Sequence, residues 1–493
     1  MKKSFHIFFR ASVLSGALLT VLPSCDVLQQ DPPTAFQSTD EAFSTPARVE
    51  LSMVGVYNDL QNAEFLGGRA LIYSDVRSGD TDPASYFGAV PTFTQLSTDT
   101  YASNAWYGGY RSIFSANTFL QNIQAHPGIV PATQEAQYVG EAKFIRALTM
   151  LHLVNLYAQP YNFTADASHP GIVIQLTAPT NVDQAFDPTL RLPRSSVRDV
   201  YTQIINDLTD AIAALPVATT VNRATKGAAQ ALLARVYLYK GDYTNAAALS
   251  GQVITSAKYA LNPDPWTVFG LQGPTASVTY TSPQSVPTYT TLESIFSVAM
   301  NANDNPNTNN AIGQHYGATR RADILITPFN SIATTVFPAD DKRRLMIRPV
   351  KSGTTTNYYT QKFNAVDNWV PIVRYPEVLL TRAEALVRST GVVSQEAISL
   401  LNQVRDRSKG SSQVSYTLAS FISTQAFVDA VLQERRLELA FEGFRLPDLL
   451  RNKQGVPAHG GIAAIPYGDP RLVFPIPNQE TLLNANLVQN PGY

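Results

Sequence analysis

The stretch from Glu434 to Arg451 constrains this chain most. Apolar residues recur at helical spacing from Phe427 to Glu442, with Val428, Leu432 and Leu439 on one face and Leu437 and Phe441 on another. A helix that is apolar on more than one side is buried from several directions. The same helix carries Glu434, Glu438 and Glu442, spaced by four. Three stacked carboxylates repel one another unless cations meet them from elsewhere in the fold. Arg374, Arg405, Arg407 and Arg445 are the expected partners. Gly443 suits the position that ends a helix, and Pro447 opposes its resumption. The ladder is therefore expected to be a structural ion-pair cluster rather than a catalytic one.

The chain holds one cysteine, Cys25, so neither an internal disulfide nor a thiolate metal cluster can form. Lys2, Lys3 and Arg10 precede a short apolar run from Ala11 to Val21, and Leu22-Pro23-Ser24-Cys25 follows. This is the pattern of a lipoprotein signal (residues 1–24), with Cys25 as the lipidated residue. Residues 25–39 are polar and contain Pro32-Pro33, so they read as a tether. The run is too short to span a bilayer; acyl chains on Cys25 would anchor the chain instead.

Beyond the tether the periodicity is helical. Helices are expected over 47–60, 138–157 and from a Ser196 cap towards Leu215. Residues 228–240 and 244–255 flank a Gly241-Asp242-Tyr243 turn, and a second such pair spans 376–407. Leu233, Ala234, Tyr237, Tyr243 and Ala246 occupy positions expected of a tetratricopeptide unit, whose small residues let two helices approach closely. One pair cannot bury its own apolar face, so about four are expected to stack. Between Pro263 and Thr360 the pattern gives way to Thr, Ser, Pro, Asn, Gly and Tyr. A long irregular insert of this kind tends to carry function. The Asn301–Asn310 run lacks the ligands of a calcium loop, with Pro306 and Ile312 in the places that need glycine and a bidentate acid.

Several separated motifs resemble the SusD/RagB family of surface nutrient-capturing lipoproteins. They are the lipobox at Cys25, Trp106 to Asn117, Glu141-Ala142-Lys143-Phe144-Ile145-Arg146-Ala147, the Glu434–Arg451 stretch, Phe474-Pro475-Ile476-Pro477 and the closing Gln489-Asn490-Pro491-Gly492-Tyr493. The resemblance implies a mainly α fold, with tetratricopeptide-like helix pairs forming a right-handed scaffold, long irregular loops and minor β structure. It implies an N-terminal helical region over 40–262 and a C-terminal region over 263–493 that bears the ligand-facing insert. It also implies a surface-exposed, lipid-anchored outer-membrane protein that captures an oligosaccharide or polysaccharide and delivers it to a SusC-like TonB-dependent transporter, without catalysis, cofactor or metal. Capture of peptides, as in the RagB branch, and glycoside hydrolysis on a helical scaffold are the alternatives.

Net charge is −1, so no broad basic field invites nucleic acid. Charged residues make up 15%, against about 25% in ordinary soluble proteins, which suits a neutral polar ligand. No nucleophile elbow, zinc-protease motif or phosphate loop is present. Sugar rings need aromatic surfaces for their CH faces and fixed polar groups for their hydroxyls. The irregular segments 75–88 and 263–318 hold both. Tyr86, Trp266, Tyr280, Tyr289 and Tyr316 are expected to line an outward platform, with Arg77, Asp80 and His315 orienting the ligand.

Overall fold

A computed structural model describes residues 39–272, 279–280 and 289–493. Among the described residues the helices of seven residues or more are α1 (Pro46–Leu60), α2 (Arg69–Asp75), α3 (Thr100–Ala125), α4 (Ala132–Tyr157), α5 (Val197–Ala214), α6 (Lys226–Lys240), α7 (Tyr243–Thr255), α8 (Tyr375–Thr390), α9 (Gln395–Ser408), α10 (Thr424–Glu438) and α11 (Arg445–Arg451). Each long helix packs on the next in a single stack. The order runs α1, α3, α4, α5, α6, α7, α8, α9, and α10 also lies on α8. The mainly α scaffold of helix pairs is thus present.

Local chemistry sets the turns. Thr45 caps α1 by accepting from the Arg48 amide, and Pro46 opens it. Gly241 ends α6 with φ of 84°, and the next residue, Asp242, caps α7. At Gly109 in α3 an added Cβ would lie 2.6 Å from Leu153 Cδ2, so glycine is what lets α3 and α4 approach this closely. Arg146 in α4 makes two bonds to Asp207 in α5, at 2.8 and 2.7 Å, and donates to Asn117 in α3. That arginine of the Glu141–Ala147 motif therefore ties three successive helices together.

The 263–360 insert holds more β structure than its composition suggests. The short strands β1 (Leu271–Gln272) and β2 (Thr279–Tyr280) pair with each other. Strand β3 (Ser294–Val298) pairs antiparallel with β6 (Val370–Arg374), and both are buried throughout. β4 (Ile347–Ser352) and β5 (Thr355–Thr360) form a hairpin. The buried strands pull the insert onto the helices rather than outward, with consequences for the aromatic platform.

The glutamate ladder is an ion-pair cluster, as expected, but α10 ends at Glu438 and not Glu442. Lys362 Nζ donates to the carbonyls of Glu438 and Ala440 at 2.9 Å each, and Arg374 Nη2 donates to the Glu438 carbonyl at 3.1 Å. Cations from distant segments thus satisfy the helix terminus, where they also favour its dipole. Glu434 pairs with Arg343 at 2.5 Å and Arg405 at 3.7 Å. Glu438 pairs with Arg407 at 2.5 Å and Arg374 at 3.3 Å, and Glu442 with Arg374 and Lys362 at 2.7 Å each. Of the four expected arginines, Arg445 takes no part, while Arg343, Lys362 and Glu293 join unforeseen. Burial raises the Glu434 carboxyl. Burial also works to raise Glu438, but Arg407, Arg374, Arg343 and Lys362 outweigh it and hold that carboxyl well below the ordinary range.

Candidate functional site

Three of the five expected platform rings, Trp266, Tyr289 and Tyr316, are buried, as are Arg77, Asp80 and His315. Arg77 is fully buried between the rings of Phe93 and Phe474, with its guanidinium 5.2 and 4.8 Å from their centres, and it donates to the Arg471 carbonyl. Asp80 is buried and held by Arg436. Trp266 is buried in the main core. Tyr289 is buried and stacks on Trp369 at 5.2 Å. Tyr316 is buried, with its hydroxyl donating to Asp75. His315 is buried with Nδ1 2.8 Å from Asp323, and burial lowers its pKa. Tyr280 lies in β2, with its side chain outside the described set, and Cys25 also lies outside it. For the rings the cause is shared: where the insert folds back on the helices, burying a large ring is favourable, so Trp266, Tyr289 and Tyr316 join the core.

Segments 75–88 and 301–318 nevertheless meet. The Tyr86 and His315 rings are 4.9 Å apart, and the half-buried Tyr86 donates to the Asn309 carbonyl. Arg321 lies over the Tyr86 ring at 4.2 Å and covers that face.

Beside this junction opens a cleft of about 480 Å³ between the end of α1, the outer side of α3 and the Asn-rich run. Asn58, Asp59, Asn62, Arg111, Asn307 and Asn309 are among its lining residues. Polar ties set the walls. Gln61 Nε2 donates to the Ala299 carbonyl, and Asn310 bonds both Glu64 and Arg69. Gly108 of α3 lets the turn after α1 lie close, since a Cβ there would stand 2.7 Å from Asn62 Oδ1. Asn307 adopts φ of 65°, a left-handed conformation that asparagine tolerates better than most residues.

The cleft continues in both directions. Asp59 is shared with a compartment of about 270 Å³ that includes Phe43 and Phe114. Asn58, Gln61 and Asp304 are shared with one of about 230 Å³ that includes Tyr57, Arg223 and Phe296. Tyr107, Arg111 and Phe114 fall at i, i+4 and i+7 on α3, which places two exposed rings (39% and 47%) on either side of the arginine. By contrast, the voids beside His152 and beside Tyr161 measure about 20 Å³ each, room for little more than a water.

Four carboxamides of the cleft, on Asn58, Asn62, Asn307 and Asn309, keep free hydrogen-bonding capacity. No hydrogen bond from the described residues occupies the Asn58 or Asn307 carboxamide. Asn62 uses only its oxygen, on the Glu64 amide, and Asn309 only its oxygen, on Arg321. A carboxamide offers two donors and an acceptor with two lone pairs, so this wall can both give and take hydrogen bonds with a hydroxylated ligand. These asparagines, with Tyr107 and Phe114, were missed in the sequence. The helical spacing of Tyr107, Arg111 and Phe114 away from the buried face was the available signal.

Comparison with known proteins agrees with this architecture. Residues 30–238 match a family described as SusD-like, starch-binding and associating with the outer membrane, and residues 341–493 match the SusD family. SusD-like protein P2 of Formosa agariphila is 28% identical, over 97% of this chain and 98% of its own length. A SusD superfamily protein from Bacteroides fragilis superposes with a TM-score of 0.77 at 28% identity, covering 90% of this chain and 99% of that one. Another, from Bacteroides vulgatus, gives 0.77 at 24% identity, covering 91% and 99%. With matched motifs from the first helices to the final tyrosine on a common helical stack, this chain belongs to the SusD/RagB family.

Proposed function

We propose that this chain captures glycans at the outer membrane, held there by lipid on Cys25, and hands them to a SusC-like TonB-dependent transporter without cleaving them. The observation that carries the reading is the trough with free carboxamide groups on Asn58, Asn62, Asn307 and Asn309, flanked by exposed aromatic rings, on a SusD-family scaffold. Hydroxyl-rich, uncharged surfaces pair with such amides, and the CH faces of sugar rings stack on tyrosine and phenylalanine. Non-catalytic capture is supported by the state of the obvious acid candidates: Glu434, Glu438 and Glu442 are each buried in ion pairs. A glycosidase needs one carboxyl poised to donate a proton and a second facing the same bond.

Calorimetry of the purified protein against a glycan array and a peptide library tests the reading, together with a reducing-end assay on every glycan bound. Binding of a glycan without release of reducing ends is expected. Asn58→Ala and Asn307→Ala should each weaken that binding, by about tenfold when the amide makes a central hydrogen bond. Peptide binding with no glycan binding, or turnover of the bound glycan, overturns it.

A further inference from the structure

The charge balance of the trough points to the class of glycan, an inference that rests on the glycan reading above. Four guanidinium groups reach its walls or rim, and each already faces a carboxylate. Arg111 pairs with Asp59 at 2.8 Å, and Arg69 with Glu64 at 2.5 Å. Arg321 pairs with Asp323 at 3.1 Å. Arg223 is held by two acids, Glu141 at 2.7 Å and Glu50 at 2.8 Å. Asp304 differs. It is exposed, it stands where the amide cleft joins the Tyr57 compartment, and no cation among the described residues lies within ion-pair reach of it. Segments 273–278 and 281–288 contain no charged residue, so they cannot supply the missing cation.

An anionic sugar entering this trough meets no lining arginine that lacks an acidic partner, since Arg111 and Arg223 are both paired. Any guanidinium it reaches is already shared with a carboxylate, which offsets part of the attraction, and along the way it passes an unneutralised one. A neutral chain meets no such obstacle, and the free amides of Asn58, Asn62, Asn307 and Asn309 supply hydrogen bonds without charge. The three contiguous compartments suit a ligand of several units rather than a single ring. We propose that the trough selects uncharged oligosaccharides over uronate- or sulfate-bearing ones, and that Asp304 is a specificity residue against anions.

The test measures affinities of the purified chain for maltohexaose, cellohexaose, xylohexaose and mannohexaose, and for hexagalacturonate and a sulfated carrageenan hexasaccharide. Ligand-observed NMR extends the range to millimolar dissociation constants. At least one neutral hexasaccharide should bind ten times or more tighter than either anionic one. Asp304→Asn should raise the anionic-to-neutral affinity ratio about fivefold, the effect of two unit charges ~4 Å apart in water. The exposed position leaves the fold intact, which a circular dichroism melt verifies. An anionic hexasaccharide that binds as tightly as the best neutral one, or an unchanged ratio in Asp304→Asn, overturns this inference and leaves glycan capture standing. Binding of no saccharide at all overturns both.

Discussion

Replacing Glu438 by glutamine tests the physics of the buried cluster. Five carboxylates (Asp341, Glu434, Glu438, Glu442 and Glu293) face five cations (Arg343, Arg374, Arg405, Arg407 and Lys362). The set is balanced and almost wholly out of water. Glu438 sits at its centre, 2.5 Å from Arg407, 3.3 Å from Arg374 and 3.7 Å from Arg343. Glu438→Gln leaves five cations against four carboxylates in a low-dielectric interior. Breaking a buried pair on one side costs about 3–5 kcal/mol, because the remaining charges stay buried without compensation. Against the ~5–15 kcal/mol stability of a typical domain, that is a large fraction. Urea unfolding followed by circular dichroism should show a clearly lower midpoint with an unchanged slope. Adding Arg407→Gln restores the balance, so the double variant should lose less than the sum of the two singles, by ~0.5–3 kcal/mol. Glycan affinity of the folded single variant should match the parent. A stability within about 1 kcal/mol of the parent, strict additivity in the double variant, or a stable protein that no longer binds ligand would refute the structural account.

Three further outcomes follow from individual groups. Cys25→Ala should abolish palmitate labelling and release the protein from the outer-membrane fraction; unchanged labelling would refute the anchor. Trp266→Ala and Tyr289→Ala should each lower stability by about 3–5 kcal/mol, as buried rings do, and leave glycan affinity of the folded protein close to the parent; a loss of affinity at full stability would return these rings to the site. Burial pushes the Asp75 carboxyl up to about 8, against the opposing bonds from Tyr316 and the Gly443 amide. The folded state therefore keeps a proton that the unfolded chain releases, so this group's contribution is fully present below pH ~4 and lost as pH rises towards 8, by up to about 1.4 kcal/mol per unit. Asp75→Asn should remove that slope, and parallel stability–pH profiles for the two proteins would disprove it.

Much of the scaffold was legible because its determinants are local. The Gly241-Asp242 turn, the Ser196 cap and the apolar period of 138–157 each act within a few residues and suffice to place α4 to α7. The end of α10 was not legible for the complementary reason. Gly443 is indeed left-handed, and a Cβ there would lie 3.2 Å from Leu71 Cα. The helix nevertheless stops at Glu438, a full turn before that glycine, and Glu442 lies outside it. Lys362 and Arg374, dozens of residues away, take the Glu438 carbonyl that a longer helix would have used. Phe441 then turns with φ of 63°, and its ring packs on Tyr316 and Phe329. No local pattern encodes a terminus decided by distant cations.

The site was misread for a related reason. Ring size and loop context pointed to Trp266, Tyr289 and Tyr316, yet those properties also describe residues that fill a core once the insert folds back. What the surface requires is the opposite: side chains that gain nothing from burial. The Asn301–Asn310 run meets that requirement, and so do Asn58 and Asn62 at the end of α1. They come together only because Gln61, Glu64 and Arg69 reach across about 240 positions of sequence to Ala299, Asn309 and Asn310. The same ties leave Asp304 at the junction of two compartments with no cation from the described residues beside it. On the proposed reading, a binding surface that can vary its ligand while keeping its fold needs this separation: the helix stack and its buried ion pairs serve stability, and the amides of the cleft serve recognition. Substitutions in the Asn run should therefore alter which ligand is held far more than whether the chain folds, whereas substitutions in the glutamate cluster should do the reverse.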